Sequence, residues 1–232
     1  MPSFFRHKYA AAVLSRKIHY WPQYLFLTQK KLCLEIFEHL QKILRIEQST
    51  LWGLVDLKAL YYYSDSVIPL PFTSLKDQKI LDFINTQNFS MYLFTGGGIV
   101  PGSFFNLKNT RFLHIHPGYL PNIRGADCLL WSTMLAGYAS ATCFYLDPGI
   151  DTGDVINAAF LPKIRLPDAA SHLDEKMIYR LLYSFIDPWV RSVVLRDTLC
   201  STNYLENITA SPQPIKARTN FHFMHQKLET QL

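Results

Sequence analysis

Apolar and polar positions along the chain predict strands alternating with helices. The apolar run at residues 24–28 (YLFLT) reads as a strand. Straight after it, Leu32, Ile36, Phe37, Leu40, Ile43 and Leu44 recur at helical spacing, which predicts an amphipathic helix over 29–46. A second strand is expected at 51–57 (LWGLVDL), followed by a proline-punctuated loop at 66–71. Ser74 can cap a helix over 75–87 whose buried face carries Ile80, Leu81 and Ile84. A third strand at 91–95 (MYLFT) runs into Gly96-Gly97-Gly98, and 112–116 (FLHIH) is a fourth. A helix at 129–135 ends at Gly137, and 141–146 and 155–161 flank a glycine-bearing turn as a hairpin. A long helix is expected over 169–187, with a break at Pro188 and a second helical piece to residue 199. Residues 200–220 are polar and irregular, and 220–225 (NFHFMH) alternates like a strand, either a plain edge strand or one returning to the functional end. The pattern predicts an α/β fold: a mostly parallel, Rossmann-like sheet with flanking helices and an added antiparallel hairpin. It divides the chain into an N-terminal extension (1–22), a core domain (23–199) and a C-terminal tail (200–232).

Composition changes this picture little. Of 232 residues, 49% are hydrophobic and 18% charged, which fits a packed core and not a disordered chain. No run approaches the roughly 20 apolar residues of a membrane span, and residues 1–30 lack the apolar core of a secretory signal. Cys33, Cys128, Cys143 and Cys200 lie far apart, as expected of reduced core thiols in a cytoplasmic protein. The first 45 residues carry a charge of +6 out of the total of +5, leaving the remainder near neutral. This is read as a solvated basic segment, because a nucleic-acid footprint is normally larger and continuous.

Glycine sharpens the picture. Nine of the ten glycines fall within residues 96–153, so one region needs unusual backbone geometry and close approach. Within it, His114 and His116 lie two apart on one strand and share a face. Pro117-Gly118 turns the chain at that strand's carboxyl end, where open α/β sheets bind ligands. A lone strand histidine is usually a core residue; a pair aimed at a turn favours chemistry. Further on, Asp147 and Asp151 stand in the glycine-flanked segment Leu146-Asp147-Pro148-Gly149-Ile150-Asp151-Thr152-Gly153. Alone, it reads as an ordinary turn built on Asx hydrogen bonds.

Taken in order, these segments resemble the 10-formyltetrahydrofolate-dependent formyltransferase family. His116-Pro117, then Leu120-Pro121-Asn122-Ile123-Arg124-Gly125, then Asp151-Thr152-Gly153, thirty-five residues after the histidine, match the family's pattern in order and spacing. The segment Thr95-Gly96-Gly97-Gly98-Ile99-Val100-Pro101 resembles the family's loop before the catalytic strand. The strong match covers 91–156. The resemblance implies a formyltransferase catalytic domain over 23–199. It implies His116 as catalytic histidine and Asp151 as its acid partner. Gly98, Ile99 and Val100, with Leu146, Asp147, Pro148, Gly149 and Ile150, are implied to line the folate pocket, and Arg124 to lie near the acceptor. Tyr119 is a candidate for the acceptor pocket. The chain departs from the family at His114, where the family has Asn: an imidazole offers an N–H only in the right tautomer or when protonated.

The implied reaction passes a formyl group from 10-formyltetrahydrofolate, a co-substrate, to an amine, without a metal. Thr28-Gln29-Lys30-Lys31, with no glycine, speaks against a glycinamide ribonucleotide acceptor, and the short tail 200–232 against a tRNA acceptor. The expected acceptor is a small molecule, an amino sugar or a hydroxyornithine-like amine. Neither nucleic acid nor membrane is expected as a partner, and a homodimer is left open. Three other readings compete. Water as acceptor makes the protein a 10-formyltetrahydrofolate hydrolase. His114 supports a non-catalytic folate-binding relative. A metal-dependent hydrolase using His114, His116 and Asp151 leaves the L-P-x-x-R-G and glycine segments unexplained.

Overall fold

The computed structural model describes residues 74–87, 89–95, 98–161, 163, 174–203, 205–214 and 219–224. The strands expected at 24–28 and 51–57, the helix at 29–46 and the extension 1–22 lie outside them, as do Gly96 and Gly97. Chain contacts separate two compact units, Met1–Phe112 and Leu113–Leu232.

In the first unit, helix α1 spans Gln78–Thr86 and buries Ile80, Leu81 and Ile84, the face read from its spacing. Each such side chain contributes about 1.5–3 kcal/mol when fully buried. The cap is not Ser74: the Asp77 side chain accepts from the Lys79 amide at 3.0 Å, and Ser74 Oγ holds the amide of Lys76 one turn earlier. Either residue has the short polar side chain a cap needs, and the later one starts the helix. Strand β1 (Met91–Phe94) follows, then a short 3₁₀ turn over Gly102–Asn106. Tyr92 stacks on Phe112 with ring centroids 5.7 Å apart, and Phe104 meets the same ring edge-on.

In the second unit, β2 (Arg111–His116, beginning at the boundary) pairs antiparallel with β4 (Ser140–Tyr145), which pairs antiparallel with β5 (Val155–Phe160). The expected hairpin is therefore present, with a bulge at Cys143/Phe144. All six residues of β4 are buried, as suits a strand with neighbours on both edges. Helix α2 (Cys128–Ala136) is closed by Gly137 at φ 74°, whose amide donates to the Thr133 carbonyl. A two-residue strand β3 (Arg124–Gly125) pairs in parallel with β6 (Asn220–Phe221), so the tail does return to the motif segment.

The helix expected to break at Pro188 is continuous instead. Helix α3 (Glu175–Leu181) passes through a π-type stretch, Leu182–Ile186, into helix α4 (Asp187–Ser201). Pro188 sits in the first turn of α4, where the wider π turn removes the need for its missing N–H. Val190, Val194 and Thr198 line the buried face of α4, and Thr198 Oγ1 accepts from Asn157 Nδ2 of β5 at 3.2 Å. The α/β class read from the sequence is what the structure shows. Cys128 and Cys143 are buried and free, but Cys200 is exposed at the end of α4, contrary to its reading as a core thiol. No helix among the described residues is long and apolar enough to cross a membrane.

Candidate active site

The segment after β2 folds back on the strand that made it. Thr142 of β4, fully buried, donates its hydroxyl to the Gly118 carbonyl at 2.6 Å and accepts the Leu120 amide at 3.0 Å. A polar residue in a central strand is tolerated because both of its hydrogen bonds are made. Gly118 has no substitute here: a Cβ would stand 2.5 Å from the Ile123 carbonyl and 2.8 Å from His116 Nε2.

That close turn decides where His116 points. The imidazole is buried, with Nε2 donating to the Ile123 carbonyl at 3.0 Å and Nδ1 lying 3.5 Å from Asp151 Oδ2. Both nitrogens face oxygen acceptors. The Nε2 proton is committed to the carbonyl, and the Asp151 carboxylate stands beside Nδ1, where it supports a positively charged ring. Burial pushes His116 below its ordinary pKa, while Asp151 and the Ile123 carbonyl pull it upward. Arg191 adds to the lowering and Asp187 opposes it.

Asp151 is held from several sides. Its backbone is left-handed, at φ 53°. Its Oδ2 accepts the Gly125 amide at 3.0 Å. Gly125 itself stands at φ 104°, where a Cβ would run into the Phe221 carbonyl of β6. In the same turn, Asp147 Oδ1 accepts from the Gly149 amide at 3.1 Å and from Thr152 Oγ1 at 2.6 Å. Asp147 thus makes the Asx turn that the segment suggested, and leaves Asp151 for His116.

His114 is half-buried and meets the Phe144 ring edge-on at 5.9 Å, while His116 meets the same ring at 6.4 Å. The two histidines flank one aromatic side chain. Tyr119 stacks flat on Phe160 at 4.4 Å. Arg124 is buried, donating to Gln213 Oε1 at 2.8 Å and to the Pro121 carbonyl at 3.3 Å. Leu146, Asp147, Pro148, Gly149 and Ile150 form the turn that leads into Asp151, with Ile150 exposed. Gly98, Ile99 and Val100 belong to the first unit. There Gly98 takes φ 101° with open space at its Cβ position, and Ile99 is 84% exposed. Among the described residues, no group of three or more His, Cys, Asp or Glu side chains is placed to hold a metal ion.

Several groups around the pair escaped the sequence reading. Gln213 lies in an irregular, polar stretch with no period to mark it. Asp127 sits at the start of α2 but does not cap it; its carboxylate accepts from the Tyr179 and Tyr183 hydroxyls at 3.1 and 2.8 Å and from the Met224 amide at 2.9 Å. Asp187 and Arg191 form a buried ion pair at 2.7 Å, one turn apart on α4. An i,i+4 Asp–Arg spacing is the one signal that marks them in the sequence, and it is common on exposed helix faces. Burial raises the Asp187 carboxyl above its ordinary value, against the pull of Arg191. Burial also pushes the Cys143 thiol up to about 12, which leaves it unreactive.

No protein-family model matches the chain. Among sequence relatives, a methionyl-tRNA formyltransferase of Rickettsia canadensis is 33% identical over 86 residues, covering 36% of this chain and 28% of that protein. A methionyl-tRNA formyltransferase of Lachnospira eligens is 26% identical over 83 residues, 35% of this chain and 26% of that protein. The chain thus spans about a quarter of the length of the curated relatives it matches. Solved structures to which the chain has some likeness include a sugar N-formyltransferase from a Shewanella species (13% identity, TM-score 0.48, 87% of this chain and 81% of that one). Another is a 4-N formyltransferase from Francisella tularensis (15% identity, TM-score 0.47, 83% of this chain and 73% of that one). The resemblance to formyltransferases read from the motifs is borne out by these sequence relatives.

Proposed function

We propose that this chain transfers the formyl group of 10-formyltetrahydrofolate to an amine of a small-molecule acceptor, an amino sugar or a hydroxyornithine-like compound. The observation that carries the reading is the buried His116–Asp151 pair, at the carboxyl end of β2, inside the ordered H-P, L-P-x-x-R-G and D-x-G segments. The reaction is one-carbon group transfer. The acceptor nitrogen bonds to the formyl carbon, an oxyanion develops on the formyl oxygen, and the bond to the folate nitrogen breaks as that nitrogen takes a proton. His116 supplies the Nε2–H that leaves the Ile123 carbonyl for the oxyanion. A donor of this kind is worth about 3–4 kcal/mol in a dry site. The proton that the attacking amine loses is the one the leaving nitrogen takes, passed on through His116 while Asp151 supports the positive charge that forms on the ring. His114 is the second donor, where the family's pattern has an amide.

The folate would be held by residues 98–100 and 146–150. Ile150 is an exposed apolar side chain in the turn that leads into Asp151, which supports the assignment of 146–150; that of 98–100 rests on the motif resemblance alone. Arg124, being buried against Gln213, acts on the acceptor side through the loop it holds, and Tyr119 presents its ring beside Phe160. A cytoplasmic location belongs to the same proposal, supported by free Cys128 and Cys143.

A second reading, methionyl-tRNA as acceptor, is favoured by the names of the sequence relatives. Release of tetrahydrofolate, followed spectrophotometrically, tests both. The small-amine reading expects release only when an amino sugar or hydroxylated amine is supplied. Release with charged initiator tRNA alone would replace it with the second reading. Release with no acceptor would make the protein a hydrolase, and folate binding without release would make it a non-catalytic relative.

A further inference from the structure

We infer that Gln213 is a positioning residue for the catalytic pair: it clamps the D-x-G turn so that Asp151 faces His116. This rests on the proposed function for its catalytic meaning, and on geometry alone for the clamp. The side-chain amide of Gln213 donates twice, to the Asp151 carbonyl at 3.0 Å and to the Gly153 carbonyl at 2.6 Å. Its Oε1 accepts from the guanidinium of buried Arg124 at 2.8 Å. One amide therefore ties the turn that carries Asp151 to the L-P-x-x-R-G element that supplies Ile123 and Gly125 to the same pair.

The clamp is needed because Asp151 takes a left-handed backbone, φ 53°, which a non-glycine residue adopts only at some cost. Two carbonyls fixed by one rigid amide hold that conformation. Gln213 is itself fixed in place two residues earlier, where Ser211 and Val155 exchange both backbone hydrogen bonds at 2.8 and 2.9 Å at the start of β5. Its partner Arg124 is buried and planar, and donates along a fixed direction. The chemistry asked of Gln213 is that of a side chain one step removed from the reacting atoms, where a misplacement of about 1 Å can cost up to about a hundredfold in rate.

The test uses the full chain and reads the His116 ring directly. The ¹⁵N signals of its imidazole are followed from pH 8 into acid in wild type, Gln213→Met, Gln213→Asn, Asp151→Asn and the Gln213→Met/Asp151→Asn double variant. Met keeps the volume of Gln213 without its donors; Asn keeps the amide but shortens its reach. The charged groups that act on His116 are Asp151 from the D-x-G turn and Asp187 and Arg191 from α4; of these only Asp151 is touched by the clamp. Both Gln213 variants are expected to move the His116 titration downward, in the direction of Asp151→Asn, because the loosened carboxylate supports the imidazolium less. The double variant is expected to move it no further than Asp151→Asn alone. With 10-formyltetrahydrofolate, kcat is expected to fall about tenfold or more, with KM for the folate unchanged. A His116 titration unmoved by both Gln213 variants, or an additive shift in the double variant, would overturn the inference. A shifted titration in a protein that transfers no formyl group would leave the clamp standing and overturn the proposed function instead.

Discussion

The Gly125 amide and His116 Nδ1 approach the same oxygen, Asp151 Oδ2, at 3.0 and 3.5 Å. The amide and the imidazole thus share one carboxylate oxygen, and the amide fixes it in place beside the ring. Gly125 can do this because its φ of 104° turns the N–H inward, and because it has no Cβ to meet the Phe221 carbonyl of β6. Gly125→Ala is therefore expected to destabilise the fold by about 1–3 kcal/mol. That is a fall of roughly 2–12 °C in melting temperature for a chain of this size. A melting curve checks it. An unchanged midpoint would show that β6 moves aside freely and does not shape the site.

His116→Ala and Asp151→Asn are each expected to remove most turnover while leaving the protein folded. Loss of an aimed donor or of a proton-transferring group typically costs about 10²–10⁴ in rate. Asp151→Asn keeps the size of the side chain and one oxygen for the Gly125 amide, so its effect on turnover reads the charge. Rates of tetrahydrofolate release, measured beside circular dichroism spectra, decide the matter. Near-wild-type turnover in either variant would refute the assignment of the pair.

The parts of this site legible in the sequence are those with a local period or a fixed spacing. His114 and His116 share a strand face because strands repeat every two residues, and both do stand against Phe144. The buried face of α1 and the β4–β5 hairpin follow from periodicity in the same way. Asp127 and Gln213 were not legible, since each owes its role to partners far along the chain: Met224 for the first, Arg124, Asp151 and Gly153 for the second. Pro188 misled for the opposite reason. A proline breaks a regular α-helix, but the π stretch before it supplies a wider turn, and no residue pattern announced that stretch.

Position 114 separates two chemistries. Its imidazole stands half-buried against Phe144, in the place where the resembled family carries an amide. His114→Asn is expected to retain or raise the rate if this position only presents a neutral donor, because an amide offers its N–H at every pH. Full loss of turnover at all pH values would instead mean that imidazole chemistry is required there.

The pH dependence of stability carries the sign of the His116 shift. Burial lowers the folded-state pKa of His116, so between that value and the ordinary one, about 6.5, the unfolded chain binds a proton that the folded chain does not. The stability that His116 contributes is thus fully present above its ordinary pKa and is lost as pH falls below it, down to the lowered folded value. Asp187 works in the opposite sense. Its raised carboxyl pKa makes the folded chain the better proton binder at acid pH, so its contribution falls as pH rises from the ordinary carboxylate range. His116→Gln keeps an N–H for the Ile123 carbonyl and removes the titration. Melting temperatures of wild type and His116→Gln, compared from pH 7.5 to pH 5, are expected to show the wild type losing stability more steeply below about 6.5. Asp151, Asp187 and Arg191 are present in both proteins, so the difference between the two curves belongs to His116 and the partners it couples to. Parallel curves would mean that His116 keeps its ordinary affinity for the proton in the folded protein, with Asp151 fully offsetting its burial.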